Sequence, residues 1–199
     1  MAEPNSTDHP IHSLISARWS PRAFTSQSVT PDQMRSLFEA ARWAPSSRNS
    51  QPWSFVVALR EDEAAFDRLF NCLRPANQTW AGNASALLLS VAEARDDEGE
   101  TSKYAVHDTA LAVANLILQA TSMGLHVHQM GGYDGEKARA EFGIPATHDP
   151  VAMMAIGYLA DAGTLSDDLR ERDIQRRVRK GLDEFVHGPT WGEPSSLVS

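Results

Sequence analysis

Residues 18 to 22 read Arg-Trp-Ser-Pro-Arg. In an extended stretch the side chains of Arg18, Ser20 and Arg22 point to one side together. Two guanidiniums and a hydroxyl converging there suit a phosphate, each charge-assisted hydrogen bond contributing about 1.5–3 kcal/mol. The same residues also suit a structural role, as a helix-end arginine pair meeting the last carbonyls and nearby acids. A second polar stretch, residues 44 to 53, reads APSSRNSQPW. It has neither the period of a strand nor that of an amphipathic helix. Ser46, Ser47, Arg48, Asn49 and Ser50 crowd hydroxyl, guanidinium and amide groups between Pro45 and Pro52, and the prolines limit the entropy lost on ordering the loop.

A third polar region lies near the end of the chain. The net charge is -8, which argues against a general nucleic-acid binder, yet six of the 18 Lys and Arg fall within residues 170 to 180: Arg170, Arg172, Arg176, Arg177, Arg179 and Lys180. One reading is a local site for a single anion. The other is a solvated, salt-bridged segment, since Glu171 and Asp173 stand among the bases.

Other chemistries lack their residues. The chain has no P-loop, no GxSxG elbow, no HExxH and no EF-hand loop. GGYDG (131 to 135) follows an apolar stretch but lacks the first glycine of a dinucleotide fingerprint. His126 and His128 share one face of an expected strand, and either a metal or simple hydrogen bonding could explain them; no third ligand is in evidence, so no metal is expected. Cys72 is the lone cysteine, which excludes an internal disulfide. The amino end lacks the h-region of a signal peptide and no apolar run approaches the roughly 20 residues of a membrane helix, so a soluble cytoplasmic protein is expected.

The elements that must position these groups follow from periodicity. Ile11, Leu14 and Ile15 mark a short helix ending near Arg18. Thr30 reads as an N-cap, with Pro31 at the first helical position and Gln33 closing a capping box, before the stripe Met34, Leu37, Phe38, Ala41. Phe66, Leu69, Phe70 and Leu73 mark another helix, and the longest runs from about Tyr104 to Met123 with Gly124 past its end. Strands are expected at 53–59, 86–92, 125–130 and 151–160, with a surface loop at 94–102 and a short helix at 136–142. Beyond Asp161 no compact pattern appears until Val178, Leu182, Phe185 and Val186. Several helices around about four strands make an α+β or α/β sandwich, one domain over 1–199, whose C-terminal arm, from about 162 to 199, is expected to lie along a partner subunit.

RWSPRAF, then APSSRNSQPW, then a glycine pair after LHVHQM, then RRVRKGLDEFV, in that order, resemble the FMN-dependent nitroreductase family. The similarity runs from about Ile11 to Val186. It implies a mixed sheet sandwiched by helices and an intertwined homodimer with FMN at each subunit interface. By position, the resemblance puts Arg18 and Ser20 on the phosphate and ribityl chain, with Trp19 between them, and Arg22 near the flavin pyrimidine. Asn77 would read the pyrimidine edge, and the backbone of Gly131 and Gly132 would lie close to N5 and O4. Arg177 and Arg179 would close on the phosphate, while Pro45, Ser46, Ser47 and Asn49 would reach the FMN of the other subunit.

The implied reaction is ping-pong. NADH or NADPH gives hydride to the flavin and leaves, and a small-molecule acceptor (a nitroaromatic, a quinone or a related unsaturated compound) takes its place. No side chain needs to be a general acid or base; the flavin carries the chemistry, and Arg22, Gly131 and Gly132 tune it. The alternatives are a flavin-fragmenting or dehalogenating relative, or a non-enzymatic dimer that binds an anion.

Overall fold

The capping box forms: Thr30 Oγ1 accepts from the Gln33 amide at 3.2 Å, and Gln33 Oε1 accepts from the Thr30 amide at 2.9 Å. This starts α2 (Pro31–Arg42), which buries Met34, Leu37 and Ala41. The structure, a computed structural model, describes residues 7–95, 98–175 and 177–198. Asp96 and Asp97 of the acidic loop and Arg176 of the basic run lie outside the described residues.

Four strands, β1 (Trp53–Leu59), β2 (Ala86–Glu93), β3 (His126–Met130) and β4 (His148–Gly157), form a sheet in the order β1-β2-β4-β3. Every pairing within the chain is antiparallel, a narrower arrangement than the mixed sheet that the resemblance implies. The continuous apolar run of β2 is explained by its central place with both faces covered. Alternation along the strands divides the core in two. Leu87, Leu89 and Met153 pack on one face with α3 (Glu63–Phe70), α4 (Pro75–Ala81) and α6 (Gly135–Phe142). Leu88, Met154 and Ile156 pack on the other face with α2 and α5 (Ala105–Ser122). A sheet sandwiched by helices is therefore what forms, with α1 (Ser13–Ala17) leading into residue 18.

Three elements differ from expectation. β4 begins earlier and ends at Gly157, because residues 158–160 pair with 23–25 instead: Thr25 N donates to Tyr158 O at 2.9 Å and Ala160 N to Ala23 O at 3.1 Å. Residues 75–81 form α4, started by Pro75; seven residues are too few for a clear apolar period. The arm contains α7 (Asp167–Ile174), which is polar almost all round, so hydropathy gave no trace of it. Among the described residues no helix is long and apolar enough to cross a membrane.

Candidate functional site

The segment 18–22 is held from two sides. From β3, the His126 ring meets Trp19 edge-on at 6.0 Å, and His128 Nδ1 lies 2.9 Å from Pro21 O. A carbonyl only accepts, so His128 carries a proton on Nδ1. From the arm, Asp173 Oδ1 accepts from the Arg22 amide at 2.9 Å and faces its guanidinium at 3.4 Å, while Arg177 Nη1 donates to Arg18 O at 2.8 Å. The histidine pair thus braces this segment, His126 through the Trp19 ring and His128 through the Pro21 carbonyl. Among the described residues no group of three or more His, Cys, Asp or Glu could hold a metal ion.

Arg18, Arg177 and Arg179 form one cationic cluster, though Arg177 lies 159 positions beyond Arg18. Burial and then the charge of Arg179 hold the Arg18 guanidinium pKa below its usual value. Burial, then Arg18 and Arg179, do the same to Arg177. None of the three has an acidic partner among the described residues. Three guanidiniums in mutual repulsion without a counter-charge favour an anion between them. Ser20 belongs to the cluster, its hydroxyl accepting from Arg18 Nη1 at 3.2 Å, and the Arg177 guanidinium lies 6.0 Å from the Trp19 ring. The rest of the basic run divides: Arg170 pairs with Asp167 within α7, as the solvated reading expects. Arg22 is not a free cation; Asp173 compensates it.

Further along, beyond the end of β3, the glycine pair is stitched to the turn before α4. Arg74 N and Asn77 Nδ2 both donate to Gly132 O, at 2.9 and 3.0 Å, and Asp134 N donates to Cys72 O at 2.8 Å. A Cβ on Gly132 would come within 2.7 Å of Asn77 Nδ2, so glycine permits this approach; at Gly131 nothing lies within 4 Å. Trp19 and Pro21 follow His126 and His128 in the same order, so the cationic cluster lies toward the start of β3 and the glycines lie past its end. At about 3.3 Å per residue, roughly 13 Å separates His126 from Met130. The polar groups therefore lie along β3, cationic toward its start and with the glycine turn past its end.

The 44–53 loop stands apart. Arg48, Asn49 and Gln51 all have positive φ, at 53°, 57° and 50°. Such backbone costs free energy in non-glycine residues and persists only when surroundings enforce it. Here Ser47 N donates to the buried Asp108 Oδ2 at 2.8 Å, and Gln51 N donates to Ser46 Oγ at 3.0 Å. Pro52, buried, locks the loop to the sheet, its carbonyl accepting from Glu93 N at 2.8 Å. Pro45 and Asn49 are exposed. Among the described residues no hydrogen bond or ion pair joins Pro45, Ser46, Ser47 or Asn49 to the arginine cluster. Sequence reasoning missed Asp173, Asp108 and Arg74. The one available signal for Asp173 is Leu169, four residues earlier on α7 and packed against the core, so the same helix face turns inward.

A family model described as the nitroreductase family matches residues 15–158. The chain belongs to the nitroreductase family. A crystal structure described as an oxidoreductase containing FMN superposes with a TM-score of 0.90 at 33% identity, covering 95% of this chain and 96% of that one. An uncharacterized 15.4 kDa protein of Mycolicibacterium smegmatis is 37% identical over 132 residues, 66% of this chain and 88% of its own. The oxygen-insensitive NAD(P)H nitroreductase of Salmonella typhimurium is 26% identical over 176 residues, 67% of this chain and 81% of its own.

Proposed function

We propose that the protein is an NAD(P)H-dependent oxidoreductase that binds FMN, with the phosphate in the Arg18–Arg177–Arg179 cluster. That cluster, drawn from opposite ends of the chain and lacking an acid, is the observation that carries the reading. The donor set fits a phosphomonoester: three guanidiniums and the Ser20 hydroxyl offer charge-assisted hydrogen bonds. When bound, FMN supplies the redox chemistry, taking a hydride from NADH or NADPH and passing electrons to a nitroaromatic, quinone or related unsaturated acceptor by ping-pong exchange.

The chain's own residues bind and orient. Asn77 and Arg74 hold the Gly132 carbonyl, which fixes the peptide after β3 where the flavin ring would lie. Arg22 presents a guanidinium whose charge is balanced by Asp173, so it offers hydrogen bonds with less net field than a lone arginine.

The active form is a homodimer. Ile11 and Ile15 near the amino end, and Ile174, Val178, Phe185, Trp191 and Leu197 in the arm, are large apolar side chains exposed on a single chain. A second copy covering them supports this assembly. The 44–53 loop, held through Asp108 and unbonded to its own chain's arginines among the described residues, would complete the partner's site.

Titration of purified protein with FMN, followed by flavin fluorescence and the visible spectrum, tests the reading; stopped-flow reduction by NADH and by NADPH tests the activity. The expectation is a yellow dimer bleached by one or both donors. A protein that leaves FMN free would refute it, and sedimentation of a flavin-loaded monomer would refute the dimer.

A further inference from the structure

We infer that Asp173 is a positioning residue, whose docking on Arg22 sets the register in which the arm delivers Arg177 and Arg179 to Arg18. The inference rests on the FMN reading only for its ligand.

Two rungs cross between the segments 18–22 and 173–177. Asp173 meets Arg22 across 151 positions, and Arg177 meets Arg18 across 159, so the two segments run in opposite directions with equal spacing on each side. A slip of the arm by one residue would break both rungs at once. Leu169, one turn earlier on α7, packs against the core, but past it the described apolar side chains give no anchor: Ile174 and Val178 are 68% and 85% exposed. The polar rungs therefore locate it.

Asp173 is poorly suited to mere stability. Its side chain is 1% exposed, Oδ1 takes both contacts from Arg22, and Oδ2 is buried without a hydrogen-bond partner. A buried carboxylate left half satisfied is unfavourable, and well-packed apolar residues often replace such pairs without loss. Its charge is useful where four arginines gather: among the described residues, Asp173 is the only acid bonded to Arg18, Arg22, Arg177 or Arg179. It compensates Arg22 and leaves the other three for the anion.

The test compares the intact protein with Asp173→Ala, Asp173→Asn, Arg177→Ala and the Asp173→Ala/Arg177→Ala double variant. Each is titrated with FMN and with riboflavin, which lacks the phosphate. Asp173→Ala is expected to weaken FMN by about tenfold and to reduce the preference for FMN over riboflavin. Asp173→Asn, which keeps an oxygen for the Arg22 amide, is expected to recover part of that loss, and it serves alone if the alanine variant does not fold. Because both substitutions remove the same delivery, the double variant should bind FMN no worse than the weaker single one. Equal losses for both flavins, additive losses, or unchanged FMN binding would overturn the inference. Limited proteolysis without flavin reads the docking directly: faster cutting of residues 167–198 in both Asp173 variants is expected, and an unchanged rate overturns it. Should the intact protein bind no FMN, the functional reading fails, while the proteolysis result still decides the role of Asp173.

Discussion

The arginine clasp and the 44–53 loop are both polar and both implied to face one ligand, yet they are built in opposite ways. The clasp is complete within one chain: residues 18–22, β3 and the arm converge on it through hydrogen bonds at 2.8–2.9 Å. The loop is also held by its own chain, through Asp108 and the sheet, but its three left-handed residues make no hydrogen bond to that clasp among the described residues. One region gathers uncompensated charge; the other fixes a strained backbone. The difference teaches that groups far apart in sequence can be gathered by one chain at one place while another polar loop of the same chain, equally well held, is left outside that gathering.

The largest effect is expected at the clasp. Arg18→Ala removes one of three charges and the bond to Ser20, and should weaken FMN by roughly 10- to 100-fold, read by fluorescence titration. Unchanged affinity would break the comparison at its stronger side.

The loop comes next. Asp108→Ala leaves the Ser47 amide unpaired beneath a strained backbone, and should cost about 1–3 kcal/mol in urea unfolding. Hydrogen exchange at 46–51 should quicken, while exchange at 18–22 stays as it was. Equal quickening in both regions would show that they are not independently held.

Asn77→Ala has a smaller expected cost, about 1 kcal/mol, because the Gly132 carbonyl keeps its bond from the Arg74 amide. A loss comparable to that of Asp108→Ala would make the glycine turn a third support equal to the loop.

The smallest effect concerns pH. Burial holds both His126 and His128 below the ordinary value of 6.5; for His128 the Pro21 carbonyl opposes this, Arg22 adds to it and Asp173 opposes it. The unfolded chain therefore binds more protons, so this contribution to stability is complete above about pH 6.5 and is lost as pH falls through the depressed folded values. Urea midpoints measured from pH 7.5 down to 5 should fall, and the fall should shrink in a His126→Gln variant. The Nδ1 of His126 has no hydrogen-bond partner among the described residues, so that substitution removes little else.

Much was legible in the chain because it is encoded locally. Thr30 and Gln33 lie three residues apart and satisfy each other's backbone, so their capping box needs no distant partner. Leu87, Leu88 and Leu89 read as a buried strand because a segment covered on both faces must be apolar throughout. Gly143, at φ 62°, ends α6 where a left-handed residue is needed. The polar motifs at 18–22, 44–53 and 177–179 likewise announced themselves through types and spacing.

What the tertiary structure alone decided is pairing. Asp173 sits in DDLRERDIQ among charges of both signs, and its spacing from Leu169 marks an inward face at most, without naming Arg22 as the partner. Asp108 in α5 and Ser47 in the loop are bonded across 61 positions, so neither carries a mark of the other. Charges act over distances in space, whereas sequence patterns record only neighbours along the chain. Which arginines lack an acidic partner among the described residues, and which one is balanced, was therefore settled when the arm folded back over residues 18–22.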